Sequence, residues 1–123
     1  MDKILRVKMG KTPEYSIEDM GDYAGIGGRN LTSKIVATEV PADCHALGPE
    51  NKLVIAPGLM SGSAAAISGR ISVGCKSPLT GGIKEANAGG QAAQVMARIG
   101  YGAIVLEGDG VAGEWWKLVV SKD

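Results

Sequence analysis

Arg70, Lys76 and the run Asn87-Ala88-Gly89-Gly90 fall in one short stretch, and their residue types suit the holding of an anion. A guanidinium grips a phosphate through two parallel hydrogen bonds. Gly89 and Gly90 lack β-carbons, so a phosphate or a flat polar ring can come within hydrogen-bond distance of the main chain there. The Asn87 amide can both donate and accept, and Ala88 adds a backbone donor. Where such a run passes from a strand into a helix, unpaired amides and the positive end of the helix dipole converge. Read without a ligand, the same residues form a plain helix cap, since asparagine is a good N-cap and glycine is common at turns. Lys76, at the far end of its strand, reads as an ordinary surface charge.

No other cluster has the pattern of a catalytic centre. Cys44 and His45 are adjacent, but His45 is the sole histidine and a metal needs about four converging ligands. Cys44 and Cys75 show no CxxC spacing, so this chain alone supports neither an iron–sulfur cluster nor a disulfide framework. No Ser/His/Asp set and no acidic pair stands out. The segment GIGGR, residues 25–29, has Asn30 where a dinucleotide fingerprint requires a third glycine, and polar residues where that fingerprint requires a buried strand. It reads as a plain turn or a second close-approach loop.

These groups need a scaffold. ILRVKM at 4–9 alternates as a half-buried strand, and GKTPE closes it. YSIEDMGDYA has no decisive pattern. NLTSKIVATEV sets Leu31, Ile35 and Val36 at helical spacing and ends near Pro41. KLVIAPG is a short apolar strand covered on both sides, and LMSGSAAAISG a small-residue loop packed against something. RISVGCKS alternates, with Ile71, Val73 and Cys75 on an apolar face and Arg70, Ser72, Gly74 and Lys76 on a polar one. SPLTGG turns the chain into IKEAN, a hairpin that brings Arg70 toward Asn87. GQAAQVMARIG spaces Ala92, Val95, Met96 and Ile99 as a helix, with Gly100 as its left-handed cap. AIVLEG and EWWKLVVSK read as two more strands. The expected fold is α+β, a mixed or antiparallel sheet with about two helices, in one domain over 1–123.

The chain has 123 residues, enough for one core. Thirteen basic residues balance 13 acidic ones, so no net field draws it to nucleic acid or to an anionic membrane, and an anion site must be local. No run approaches the roughly 20 apolar residues that span a bilayer. The N-terminus lacks the apolar core of a signal peptide, and two cysteines fit a reducing compartment, so the expected location is the cytoplasm. Nineteen glycines, about twice the average share, imply several places where backbones approach something closely. With no further helix after the last expected strand, one sheet face is expected to need a partner.

GPENKLVIAPG, then SGR, KSPLTGGIKEANAGG and GYGAIVLEG, in that order, resemble the N-terminal domain of the tungsten-containing aldehyde:ferredoxin oxidoreductases. GIGGRNLTSKIV resembles the segment that precedes these in that family. The resemblance implies a large cytoplasmic enzyme with tungsten or molybdenum held by two pterins, and a [4Fe–4S] cluster that passes electrons to ferredoxin. It implies that Arg70 meets the phosphate side of the pterin and that Asn87 and Gly89 contact the cofactor, with Ala88 in place of the commoner serine and Gly90 beside them. Cluster cysteines and acid/base residues would lie in parts of the enzyme that this sequence does not include, so the remaining domains or subunits are expected partners and a homo-oligomer is left open. Two other readings compete: a scaffold or assembly subunit that has lost the cofactor, and a small phosphate- or nucleotide-binding module acting alone.

Overall fold

Alternating apolar residues set the central strands. In the computed structural model, which describes residues 1–122, Lys3–Met9 (β1) buries Ile4, Leu5 and Val7. It folds back through the GKTPE turn onto Glu14–Asp19 (β2), antiparallel, with Leu5 opposite Ile17. Gly28–Glu39 (α1) follows, then Leu53–Pro57 (β3), Arg70–Lys76 (β4), Ile83–Gly89 (β5), Gln91–Arg98 (α2) and Tyr101–Gly108 (β6). The six strands form one mixed sheet in the order β2-β1-β6-β3-β4-β5; β1 and β6 run parallel and every other pair is antiparallel. The fold is α+β, as the sequence leads one to expect.

One helix lies on each face. Leu31, Ile35 and Val36 of α1 are buried against Ile4, Val54, Ala56, Ala103 and Val105. On the other face Met96 of α2 packs with Leu5, Val7 and Ile104. The stripe expected on α2 is rotated: Ala93 and Met96 are buried, while Val95 is half-exposed. No helix among the described residues is long and apolar enough to cross a membrane.

Three expectations are corrected. EWWKLVVSK is not a strand: residues 114–122 pair with no edge of the sheet, and Trp115 is 96% exposed, although Val120 packs on the α2 side. The polar face of β4 is the more buried one, because a glycine at 74 admits Thr32 of α1, whose Cβ lies 2.8 Å from where a Gly74 Cβ would stand. On that face Lys76 is buried, not a surface charge. Its ammonium donates to the carbonyls of Ala42 and Cys44, both at 2.6 Å, so that backbone oxygens replace its hydration.

Asn51 explains part of the sequence pattern. Its side chain receives the Lys76 N–H at 3.0 Å and donates to the Lys76 carbonyl at 3.0 Å and the Ala46 carbonyl at 2.7 Å. An amide thereby stands in for a neighbouring strand beyond the end of the β3–β4 ladder. PENKL and KSPLTG are thus in direct contact, and their asparagine and lysine serve the fold.

Candidate functional site

The β4–β5 hairpin sets Arg70 directly opposite Gly89 and Ser72 opposite Asn87. Arg70, Ser72, Asn87 and Gly89 therefore share the sheet face that carries α1, and Arg70 and Asn87 are diagonal neighbours. Ala88 pairs with Ile71 and points to the other face. Gly90 then turns the chain with φ of +128°, a conformation that glycine alone adopts easily, and α2 begins at Gln91. The Gly90 N–H is taken by the Gly69 carbonyl at 3.0 Å. Gly69 is required by this closure, since a β-carbon there would stand 2.6 Å from the Gly90 carbonyl oxygen.

Around this corner runs an open groove of about 380 Å³ lined by Ile67, Gly69, Arg70, Gly89, Gly90, Gln91 and Gln94. Arg70 is exposed and, among the described residues, makes no ion pair and no side-chain hydrogen bond. No side chain caps the N-terminus of α2 and no acidic residue occupies its first turn. A β-carbon at Gly90 would meet no atom within 4 Å, so the corner is open to solvent. The groups selected from the sequence are thus together, with Ala88 on the reverse side of the strand.

Asn87 does not cap α2, as the plain-cap reading had it. It sits in β5, three positions before the Gly90 N-cap, and its Nδ2 donates to Ser72 Oγ at 3.2 Å and to the carboxylate of Glu85. Glu85 also receives Arg29 Nε at 3.0 Å, which ties β5 to the first turn of α1. Sequence reasoning missed Glu85, Ser72 and Arg29 as parts of this corner. The strand register was the available signal, because Glu85 and Asn87 are two apart and so share a face.

Gln94 was missed as well. Its Oε1 accepts the Gly62 N–H and its Nε2 donates to Ser68 Oγ at 3.2 Å, so the small-residue loop 59–69 is tied to α2 at Gly62 and Ser68 while Leu59, Met60 and Ile67 stay exposed, and Gln94 forms one wall of the groove. Gln94→Ala should cost this loop about 0.5–1.5 kcal/mol and speed hydrogen exchange at the Gly62 amide roughly tenfold, with global stability little changed. Unaltered exchange at Gly62 would remove Gln94 from the role of staple.

The GIGGR segment serves as a close-approach loop within the protein. A β-carbon at Gly27 would lie 2.9 Å from the Pro57 carbonyl, so the N-terminus of α1 sits directly on the end of β3.

A second polar cluster lies at the C-terminal end of α1. Glu39 receives two hydrogen bonds from Arg6, at 2.7 and 2.8 Å, one from Lys52 at 2.8 Å and one from Tyr23 Oη at 2.8 Å. Arg6 also contacts Glu18, and Lys52 lies 2.8 Å from Glu107. Burial alone would raise the Glu39 pKa, but the bonds from Arg6, Lys52 and Tyr23 and the Arg6 charge outweigh it and hold the carboxyl at about 2. Tyr23 is pushed up to about 12, first by burial and then by its bond to that carboxylate. The Lys52 pKa is raised, its bonds to Glu107 and Glu39 outweighing the lowering effect of burial. Among the described residues no group of three or more His, Cys, Asp or Glu side chains could hold a metal ion.

The family model for the N-terminal domain of aldehyde ferredoxin oxidoreductase matches residues 4–123. The chain belongs to this family. Two tungsten-containing aldehyde ferredoxin oxidoreductases are similar to it: one from Thermococcus kodakarensis, 38% identical, and one from Pyrococcus furiosus, 43% identical, each over 109 residues. Each match covers 86% of this chain and 18% of the relative, so the chain spans less than a fifth of the relatives' length. Among solved structures, the active-site complex BamBC of benzoyl coenzyme A reductase, determined with 1,5-dienoyl-CoA, superposes with a TM-score of 0.77 at 30% identity. That match covers 89% of this chain and 17% of that one. The mixed six-stranded sheet is thus a fold shared with a portion of much larger oxidoreductases.

Proposed function

We propose that this chain forms one wall of the site for a tungsten or molybdenum bis-pterin in an aldehyde:ferredoxin oxidoreductase-like enzyme, the rest of which comes from further domains or subunits. The observation that carries this reading is Arg70, an exposed guanidinium without a counter-charge among the described residues, beside the uncapped N-terminus of α2. Both offer donors to an anion, and Gly89 and Gly90 leave the space for it. These features fit the phosphate side of a pterin. When bound, the metallopterin supplies two-electron chemistry at the metal, and a [4Fe–4S] cluster elsewhere in the enzyme passes electrons to ferredoxin.

This chain's residues contribute position and charge compensation. Arg70 and the free amides near Gly90 balance negative charge, and Gly69 holds the corner shut behind them. The benzoyl coenzyme A reductase neighbour acts on a substrate other than a free aldehyde, so a shared scaffold of this kind does not fix the substrate. The proposed setting is the cytoplasm.

The test is elemental. The protein isolated from its native source, with the polypeptides that accompany it, is expected to hold tungsten or molybdenum by mass spectrometry, together with pterin detected by fluorescence after oxidation. A fully assembled preparation without metal or pterin would overturn the reading and favour a scaffold subunit. Calorimetric heat on adding nucleotides to the chain alone would favour the stand-alone module.

A further inference from the structure

Ile67 has a conformation that its residue type resists. Its φ is +57°, and among the described residues no other residue except glycine has a positive φ. A β-branched side chain crowds the backbone there, so glycine or asparagine is the ordinary occupant. Burial of the side chain could offset that crowding, but Ile67 is fully exposed and belongs to neither buried cluster. The conformation is imposed by its neighbour. The Ser68 carbonyl accepts Ser61 Oγ at 3.0 Å and the Arg70 N–H at 3.0 Å, and its hydroxyl accepts Gln94 Nε2 at 3.2 Å. Strain held in place by the surrounding structure, with no packing gained inside the domain, is characteristic of ligand clamps. What it achieves here is placement: Ile67 is the one aliphatic wall of the groove, whose other walls are Arg70, glycines and glutamines.

We infer that Ile67 is a specificity-determining contact of this groove, held in the left-handed region so that its side chain packs on the flat, weakly polar part of a ligand whose anionic end meets Arg70. The inference rests on the cofactor-cradle reading and adds a second kind of contact to it. Arg70 and the amides near Gly90 suit any phosphate. An aliphatic wall in the same groove favours a phosphate ester with a ring or apolar face beside the phosphate over inorganic phosphate or a wholly polar ester.

The experiment compares Ile67→Asn, Ile67→Leu and Arg70→Ala in the assembled protein. One readout is pterin and metal content per polypeptide, and the other is the melting temperature of the metal-free preparation. Asparagine tolerates the left-handed backbone and is similar in size but polar, so it isolates the apolar contact. Ile67→Asn is expected to lower cofactor content about fivefold, the worth of a partly buried aliphatic contact, while the melting temperature stays level or rises because strain is relieved. Ile67→Leu keeps an aliphatic side chain and is expected to restore most of the content. A lower melting temperature in Ile67→Asn with content intact would assign Ile67 to the fold and overturn the inference. Wild-type content in Ile67→Asn alongside loss in Arg70→Ala also overturns it and leaves the cradle standing, whereas wild-type content in both variants overturns the cradle and the inference together. Loss of content in Ile67→Asn accompanied by release of the associated polypeptides on gel filtration would place Ile67 in an interface between parts of the enzyme, and overturns the inference as well.

Discussion

Arg70→Ala is expected to weaken cofactor retention by about 1.5–3 kcal/mol, the usual worth of a hydrogen bond to a charged group, which is roughly a tenfold to hundredfold loss of affinity. The protein itself should remain folded. Arg70 has no partner among the described residues, and its side chain lies outside both buried clusters, so its removal strands no buried group. Arg70→Lys separates charge from geometry. A lysine keeps the charge but gives up the planar fork, and intermediate retention is expected if two phosphate oxygens are gripped at once. The measurement is tungsten or molybdenum and pterin per polypeptide after extended dialysis, alongside thermal unfolding. Full retention in Arg70→Ala would leave the groove without its principal anion contact. Loss of retention accompanied by a large fall in melting temperature would instead assign Arg70 to the fold.

How far the sequence disclosed this arrangement can be traced to particular residues. The burial of Leu31, Ile35 and Val36 was legible because they repeat with the period of a helix, and that of Val54 and Ala56 because they lie in a short continuous apolar run bounded by Pro57 and Gly58. The β4–β5 hairpin was legible from Pro78, Gly81 and the alternation around them, and with it the meeting of Arg70 and Gly89. β2 left no pattern because all six of its residues are exposed, so no buried face imposes a period on it. EWWKLVVSK misled for the converse reason: a run rich in aromatic and β-branched residues is a local property, whereas a strand also needs an edge to pair with, and neither β2 nor β5 receives this segment. The buried polar face of β4 was hidden because Gly74, Ser72 and Lys76 look solvated, while the helix lies on them through a missing side chain and backbone carbonyls. Within the site, residue types pointed to Arg70, Gly89 and Gly90. The Glu85–Asn87–Ser72 bonds depend on a register that types alone do not supply.

The corner and the charged cluster bear on one another through α1. Arg29 at its first turn reaches Glu85 on β5, and Glu39 at its last turn reaches Arg6 on β1, so an ion pair joins each end of the helix to the sheet. The two pairs differ in weight. Arg29 is largely solvated and its pair contributes little to stability, whereas Arg6, Glu39 and Lys52 are all mostly buried.

Arg6→Met should therefore be the most damaging of the substitutions considered, at about 3 kcal/mol near neutral pH, the low end of the range for removing one partner of a buried pair. The change leaves Glu39 and Glu107 with the single ammonium of Lys52 and takes from Glu18 its Arg6 partner. For a chain of this size the loss corresponds to a fall in melting temperature of roughly 10 °C. Far-UV circular dichroism is the suitable probe, because Trp115 and Trp116 are 96% and 58% exposed and report weakly on core packing. The pH dependence gives the sharper test. In the native protein Glu39 ionises at about 2, against 4.5 ordinarily, so the unfolded chain binds the extra proton first as pH falls. The stability that Glu39 supplies is thus fully present above about pH 4.5 and is lost as pH falls through about 2. Without Arg6 the Glu39 carboxyl returns toward its ordinary range, the variant has little such stability left to lose, and the two unfolding curves converge between pH 4.5 and 2. A gap between native and variant that stays constant across that window would mean that Arg6 acts through packing of its side chain and not through the carboxylates it bridges.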